Sequence, residues 1–147
     1  MSYPQPLSHQ HISLQDSVRS HEGCKLKAYQ DSEGVWTIGV GRNLQNLTIT
    51  EQQANEWLAE DLQTAVNELD RAFKGWRDHS PARQNVLIEL CFQLGAPRLA
   101  GFLKFWAALR SQDYATAALE LLASRYASQV PKRAHTLAKR LEMDQFA

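Results

Sequence analysis

The chain has 147 residues and a mass of 16.7 kDa, which is one domain, or two lobes sharing one chain, with a core that needs no covalent staples. Hydrophobic residues make up 44% and charged residues 22%, an ordinary globular composition that argues against disorder. Sixteen Lys and Arg balance sixteen Asp and Glu, which argues against a strongly basic nucleic-acid binder, yet the zero is an average: residues 1–73 carry 5 basic and 10 acidic side chains, residues 74–147 carry 11 and 6.

Residues 1–12, with Pro4 and Pro6 among polar neighbours, read as a flexible leader, and His9 and His11 within it as solvated side chains. No apolar signal-peptide core is present there, and no run approaches the roughly 18 apolar residues that span a bilayer, so the chain is expected to stay in the cytosol unless something exports it. Residues 14–22 predict a helix with Leu14 and Val18 on one face, closed by Gly23. The alternation of residues 25–29 predicts a strand, Asp31-Ser32-Glu33-Gly34 a turn, and residues 35–41 a second strand whose two glycines imply close backbone approach or a bulge. Residues 42–47 complete a small sheet.

Thr50 and Gln53 have capping-box spacing, and a long helix is expected to about Arg71, with Ala54, Leu58, Leu62, Ala65, Val66 and Leu69 on one side. That length suits a link between two lobes. Ser80-Pro81 opens a helix with Val86, Leu87, Leu90, Cys91 and Leu94 inward and Gly95 at its end. Further helices are expected over Leu99–Leu109 and Asp113–Ala123, and a last one from Pro131 with Ala134, Leu137, Ala138 and Leu141 inward. The fold class is α+β: a small antiparallel sheet near the N-terminus and a larger helical body. Two cysteines without an export signal argue weakly for a disulfide; Cys91 reads as a buried thiol. The five histidines and two cysteines lack ligand spacing, so neither metal nor cofactor is expected.

Acid–base chemistry on a glycoside needs two carboxylates, one protonated and one ionised. Three acid pairs stand nine positions apart: Glu22/Asp31, Glu51/Glu60 and Asp61/Asp70. The last two lie in or at the end of the long helix, where acids usually form a solvated face. Glu22/Asp31 spans a helix end and a turn, where functional side chains concentrate, but spacing alone leaves the choice open.

The string from Glu22 to Gly41 is more specific. It resembles the signature of phage-type lysozymes, glycoside hydrolase family 24, E-G-x-[KR]-L-x-x-Y-x-D-x-x-G-x-x-T-I-G-x-G, and every fixed position matches. The likeness continues at Phe92–Gly95, Ala100–Phe102, Ser124–Tyr126 and Gln129–Ala134, and so covers most of residues 14–141. The chain is shorter than the T-even members, chiefly between sheet and long helix. The resemblance implies one lysozyme domain over 1–147: leader 1–12, a first helix 13–23 packing on the helical lobe, a β lobe 24–49, a connecting helix 50–72 and a helical lobe 73–147.

It further implies Glu22 as general acid, Asp31 as the carboxylate that stabilises the transition state and activates water, and Thr37 as the hydroxyl that holds that water. Glu22 then needs a raised pKa from partial burial or negative neighbours. Arg133 corresponds to the arginine that pairs with and orients the acid, although a bare cation there would lower its pKa. Phe92 and Gln93 correspond to residues lining the sugar cleft; for Phe92, plain core packing is an equal reading. Arg42 stands where members often carry histidine, and an Arg42–Asp61 pair is expected.

The implied activity is an N-acetylmuramidase acting on bacterial peptidoglycan, made in the host cytoplasm and reaching the wall through a holin-opened membrane as a phage or prophage endolysin. The protein is expected to be monomeric, without nucleic-acid partner or stable membrane insertion. Alternatives are a lytic transglycosylase, a tail-associated or delivered lysozyme, and an inactive wall-binding module. The basic second half, including Lys132, Lys139 and Arg140, is expected to help hold the anionic wall while the acidic first half engages the glycan.

Overall fold

A computed structural model describes residues 12–147. The expected leader, with His9 and His11, lies outside the described residues except for Ile12, which already opens a helix. Elements follow in the order α1 (Ile12–Glu22), β1 (Lys25–Gln30), β2 (Trp36–Gly39), β3 (Arg42–Asn43), α2 (Glu51–Ala72), a 3-10 turn (Trp76–Asp78), α3 (Pro81–Leu94), α4 (Ala96–Ala100), α5 (Leu103–Arg110), α6 (Tyr114–Leu122), α7 (Arg125–Gln129) and α8 (Pro131–Met143). This is the expected α+β class. The chain divides into two units, Met1–Thr50 and Glu51–Ala147.

In the first unit β1, β2 and β3 form an antiparallel sheet in sequence order. Tyr29 pairs with Thr37 and Thr37 with Asn43, so β2 is central. The β1–β2 register slips between Lys25 and Tyr29, opposite the first of the two signature glycines, Gly39. Gly39 and Gly41 turn the chain from β2 to β3 at φ of 68° and 70°, a region side-chain-bearing residues avoid. Leu14 and Val18 share a face of α1, and both are exposed.

The hydrophobic core belongs to the second unit. Leu69 of α2, Leu87 and Leu90 of α3, Leu99 of α4, Phe105 and Leu109 of α5, Leu121 of α6 and Leu137 and Leu141 of α8 are almost wholly buried. Each such side chain contributes about 1.5–3 kcal/mol of burial free energy. α8 packs on α6, α7 and α3, and α2 packs on α3. The inward stripe of α2 starts later than its periodicity suggests: Ala54 and Leu58 are exposed, and full burial begins at Ala65.

Three other boundaries differ from expectation. The helix expected over Leu99–Leu109 is two helices, because the chain turns at Gly101, whose N–H bonds to the Arg98 carbonyl at 3.1 Å, and Phe102 leaves helical geometry at ψ 62°. The 3-10 turn at Trp76 and the five-residue α7 are too short to carry periodicity; α7 is marked only by its Ser124 cap. Ser80, Asp113 and Gly95 act as helix caps, each satisfying a backbone group at a helix end.

The charge asymmetry of the sequence does not coincide with the structural division. Four cations and four anions fall in the first unit, twelve of each in the second, so both units are neutral. The acidic excess of the first half sits on α2, alongside the basic helices rather than apart from them.

Both cysteines are free, Cys24 exposed and Cys91 buried. Burial and a hydrogen bond donated to Glu68 Oε2 at 3.5 Å push the Cys91 thiol up to about 11. One thiol, Cys24, is therefore expected to react promptly with a chromogenic disulfide reagent at neutral pH, and the second only on unfolding. Two equally fast equivalents from the native protein would contradict this environment.

Candidate active site

The first unit presents three of the expected residues. α1 ends at Glu22, where Gly23 turns the chain at φ 75° and closes the helix on the Arg19 carbonyl at 2.8 Å. The Glu22 side chain reaches the β2–β3 hairpin: a Cβ built on Gly41 would stand 3.0 Å from Glu22 Oε2 and 3.3 Å from Cδ. The last glycine of the signature thus gives the carboxyl its room. Glu22 itself is exposed, so the partial burial expected for it is not found.

Asp31 occupies the turn after β1. Its Oδ1 accepts the N–H groups of Glu33 and Val35, both at 2.8 Å, an arrangement that ties a carboxylate to the turn it starts. Oδ2 takes no part in those bonds. The Val35 carbonyl accepts the Asp31 N–H at 2.9 Å and the Thr37 hydroxyl at 3.0 Å. One peptide residue therefore fastens both Asp31 and Thr37. Thr37 is 5% exposed, on the central strand. Its hydrogen is committed to Val35, not to a carboxylate as its chemistry also permits, so toward a ligand the hydroxyl acts as an acceptor.

The second unit carries the other three. Phe92 and Gln93 sit near the end of α3, and Arg133 in the first turn of α8. Gln93 Oε1 accepts the hydroxyl of buried Tyr126 at 2.8 Å, which turns its amide NH2 away as a donor. Arg133 is held by Glu89, its Nε at 3.0 Å and Nη2 at 2.9 Å from the same Oε1. Phe92, Glu89, Arg133 and Arg140 border a groove of about 590 Å³, otherwise mostly apolar, with walls from α2, α3 and α8; Gln93 does not line it. Phe92 is 41% exposed, so it is not a packed core residue. The pairings expected for Arg133 with Glu22 and for Arg42 with Asp61 each take one member from each unit.

Sequence reasoning missed Val35, Glu89 and Tyr126. Gly41 was expected to allow a close approach, but not that of Glu22, and Tyr126 stood inside a matched string without a role. Glu89 had a weak signal, lying four residues before Gln93 on the same helix. Among the described residues no group of three or more His, Cys, Asp or Glu is arranged to hold a metal ion, and no helix is long and apolar enough to cross a membrane.

Comparison with known proteins adds a family. The phage lysozyme profile matches residues 19–144. The chain is 24% identical to “Probable T4-type lysozyme 2” of Dictyostelium discoideum, over 84% of this chain and 89% of that one. It is 36% identical to the endolysin of Salmonella phage P22, over 57% of this chain and 62% of the endolysin. It is 26% identical to peptidoglycan hydrolase gp36 of Pseudomonas phage phiKMV, over 82% of this chain but 14% of that much longer protein.

Proposed function

The chain belongs to the phage lysozyme family and is a glycoside hydrolase of lysozyme type, and from that premise we propose that it hydrolyses the β-1,4 bond between N-acetylmuramic acid and N-acetylglucosamine in peptidoglycan. Glu22 donates its proton to the leaving oxygen. Asp31, through Oδ2, accepts one hydrogen of the attacking water, and Thr37 accepts the other, which aims the water's lone pair at the anomeric carbon. The observation that carries this reading is the shared anchorage of Asp31 and Thr37 on Val35, which leaves Asp31 Oδ2 and the Thr37 hydroxyl oxygen as acceptors. Arg133, Gln93 and Phe92 take the orienting and substrate-binding roles that the family resemblance gives them. The biological setting is host lysis by a monomeric endolysin that accumulates in the cytoplasm and reaches the wall through a holin.

Mass spectrometry of digested, purified peptidoglycan tests the reaction. Fragments ending in reducing muramic acid are expected. Anhydromuramyl ends, lighter by one water, would make the enzyme a transglycosylase, and free N-acetylglucosamine ends would move the cut to the other bond.

The contact at Gly41 makes a separate prediction. Gly41→Ala places a methyl 3.0 Å from Glu22 Oε2 at a backbone φ of 70°. The carboxyl must give by a few tenths of an ångström; misplacement on the order of 1 Å costs about 100-fold in rate, so a loss of less than 100-fold is expected. The strained φ adds roughly 1 kcal/mol of destabilisation. Turnover of peptidoglycan should fall several-fold while the circular dichroism spectrum stays unchanged; wild-type turnover would show that the carboxyl does not depend on this contact.

A further inference from the structure

A cavity of about 350 Å³ lies within the second unit, between the 3-10 turn and the end of α5. It shares no residue with the groove bordered by Phe92 or with the proposed catalytic set. Its apolar wall is Trp76, Trp106 and Leu109, all buried. Both indole N–H groups are already committed: Trp76 donates to Asp70 Oδ1 at 2.8 Å, and Trp106 to the Leu99 carbonyl at 2.9 Å. These rings therefore offer a ligand apolar surface and no hydrogen-bond donor.

The polar side of the lining is built differently. His79 belongs to it and is only 9% exposed. Its Nδ1 stands 2.8 Å from the Tyr114 hydroxyl. When Tyr114 donates, the neutral ring carries its proton on Nε2, the ring nitrogen left for a ligand. Burial holds the ionisation of His79 below its ordinary value, while Asp78 pulls it up and Arg83 pushes it down. At neutral pH the ring thus offers one donor and no charge. Two exposed cations, Lys74 and Arg110, complete the lining, and neither is in an ion pair among the described residues. Asp78 is the one acid there, so a single positive charge remains in excess.

We propose that this cavity binds a small monocarboxylate with an apolar body, an N-acylated amino acid or the C-terminus of a short peptide. Arg110 and Lys74 take its charge, and His79 donates from Nε2 to one carboxylate oxygen. One excess positive charge matches one carboxylate, whereas Asp78 on the same lining repels a dianion. The two indoles and Leu109 receive the apolar body. Sites for small ligands commonly combine apolar walls with a few placed polar groups in a volume of about 300–1,000 Å³, and this cavity lies within that range. Such a site is independent of the lysozyme reading, because none of its residues takes part in the proposed catalysis.

The experiment is a titration of the full chain at neutral pH with N-acetyl-L-alanine, trialanine, N-acetyl-L-alanine amide and inorganic phosphate, followed on the indole N–H resonances of its four tryptophans. Either carboxylate should shift Trp76 and Trp106 saturably and leave Trp36 and Trp57 in place, with a dissociation constant on the order of 1 mM. The tighter of the two tells a free acylated amino acid from a peptide end. K74Q and R110Q should each weaken binding by up to about fivefold, as expected of exposed charges, and the double variant by more than either. H79F, which removes the donor, should weaken it about tenfold. No saturable shift at about 50 mM of either carboxylate, fifty times the expected constant, overturns the proposal. So does an amide or phosphate that binds as well as the carboxylates, since the first needs no charge and the second needs only cations. If H79F does not fold, the K74Q/R110Q double variant decides: unchanged affinity there overturns the site.

Discussion

Glu22→Gln should lower turnover of peptidoglycan by about 10²–10⁴-fold, the usual contribution of a positioned general acid. The amide has nearly the volume of the carboxyl and fits the space beside Gly41, so geometry is preserved and only the transferable proton is lost. Because Glu22 is exposed, the melting temperature should stay within the range of a neutral surface substitution, about 0.5 kcal/mol. Asp31 calls for a different comparison, because its Oδ1 also holds the turn through two 2.8 Å bonds. Asp31→Asn keeps an acceptor for those bonds and removes the charge, whereas Asp31→Ala removes both. The first should separate chemistry from folding, and the second should mix them. A Glu22→Gln protein that keeps more than about a tenth of wild-type turnover would move the acid elsewhere.

The second large effect is on stability. Arg83, in the first turn of α3, donates from Nε to the Leu141 carbonyl at 2.7 Å and from Nη2 to the Glu142 carbonyl at 3.1 Å. It pairs with Asp144 at 3.8 Å and lies 3.5 Å over the ring of Tyr114, whose hydroxyl meets buried His79 at 2.8 Å. One guanidinium thus joins the start of α3 and α6 to the end of α8, where Asp144 turns the backbone at φ 56° and meets the Ser80 hydroxyl. Bonds from a charged donor contribute about 1.5–3 kcal/mol and a cation over an aromatic face about 0.5–2. Arg83→Ala should therefore cost about 3 kcal/mol, roughly 10–20 °C in the melting temperature of a unit this size. Arg83→Lys keeps the charge but not the planar fork, and should recover only part. A loss below about 3 °C in Arg83→Ala would mean that water replaces these contacts at little cost.

The parts of the fold legible in the sequence are those with a local cause. Alternation over residues 25–29, a turn cluster at Asp31–Gly34 and glycines at 39 and 41 write a hairpin in short-range chemistry. Ser80-Pro81 and Gly95 bracket α3 for the same reason. What escaped depends on partners far along the chain. The division of one expected helix at Gly101 and Phe102 is such a case, and so is the exposure of Leu58 on a helix whose periodicity would bury it. Glu89 illustrates the limit for the site. Its partner is Arg133, forty-four residues later, and its spacing from Gln93 is only a weak sign of that pairing. Asp31 and Thr37 were found through a matched string, but their common anchor on Val35 could be found only from backbone geometry.

The two units differ in what holds them. Every almost wholly buried hydrophobic side chain among the described residues lies beyond Thr50, and the one deeply buried side chain before it is Thr37, a polar residue of the proposed site. A segment with so little apolar burial opens at a lower free energy than the whole molecule. Amide hydrogens of β1 to β3 should therefore exchange through partial opening, while those of α3 and α8 wait for global unfolding. On warming, enzymatic activity and helical ellipticity would then fade at different temperatures, activity first. A stabilising substitution in the helical core would raise the second temperature and leave the first almost where it was.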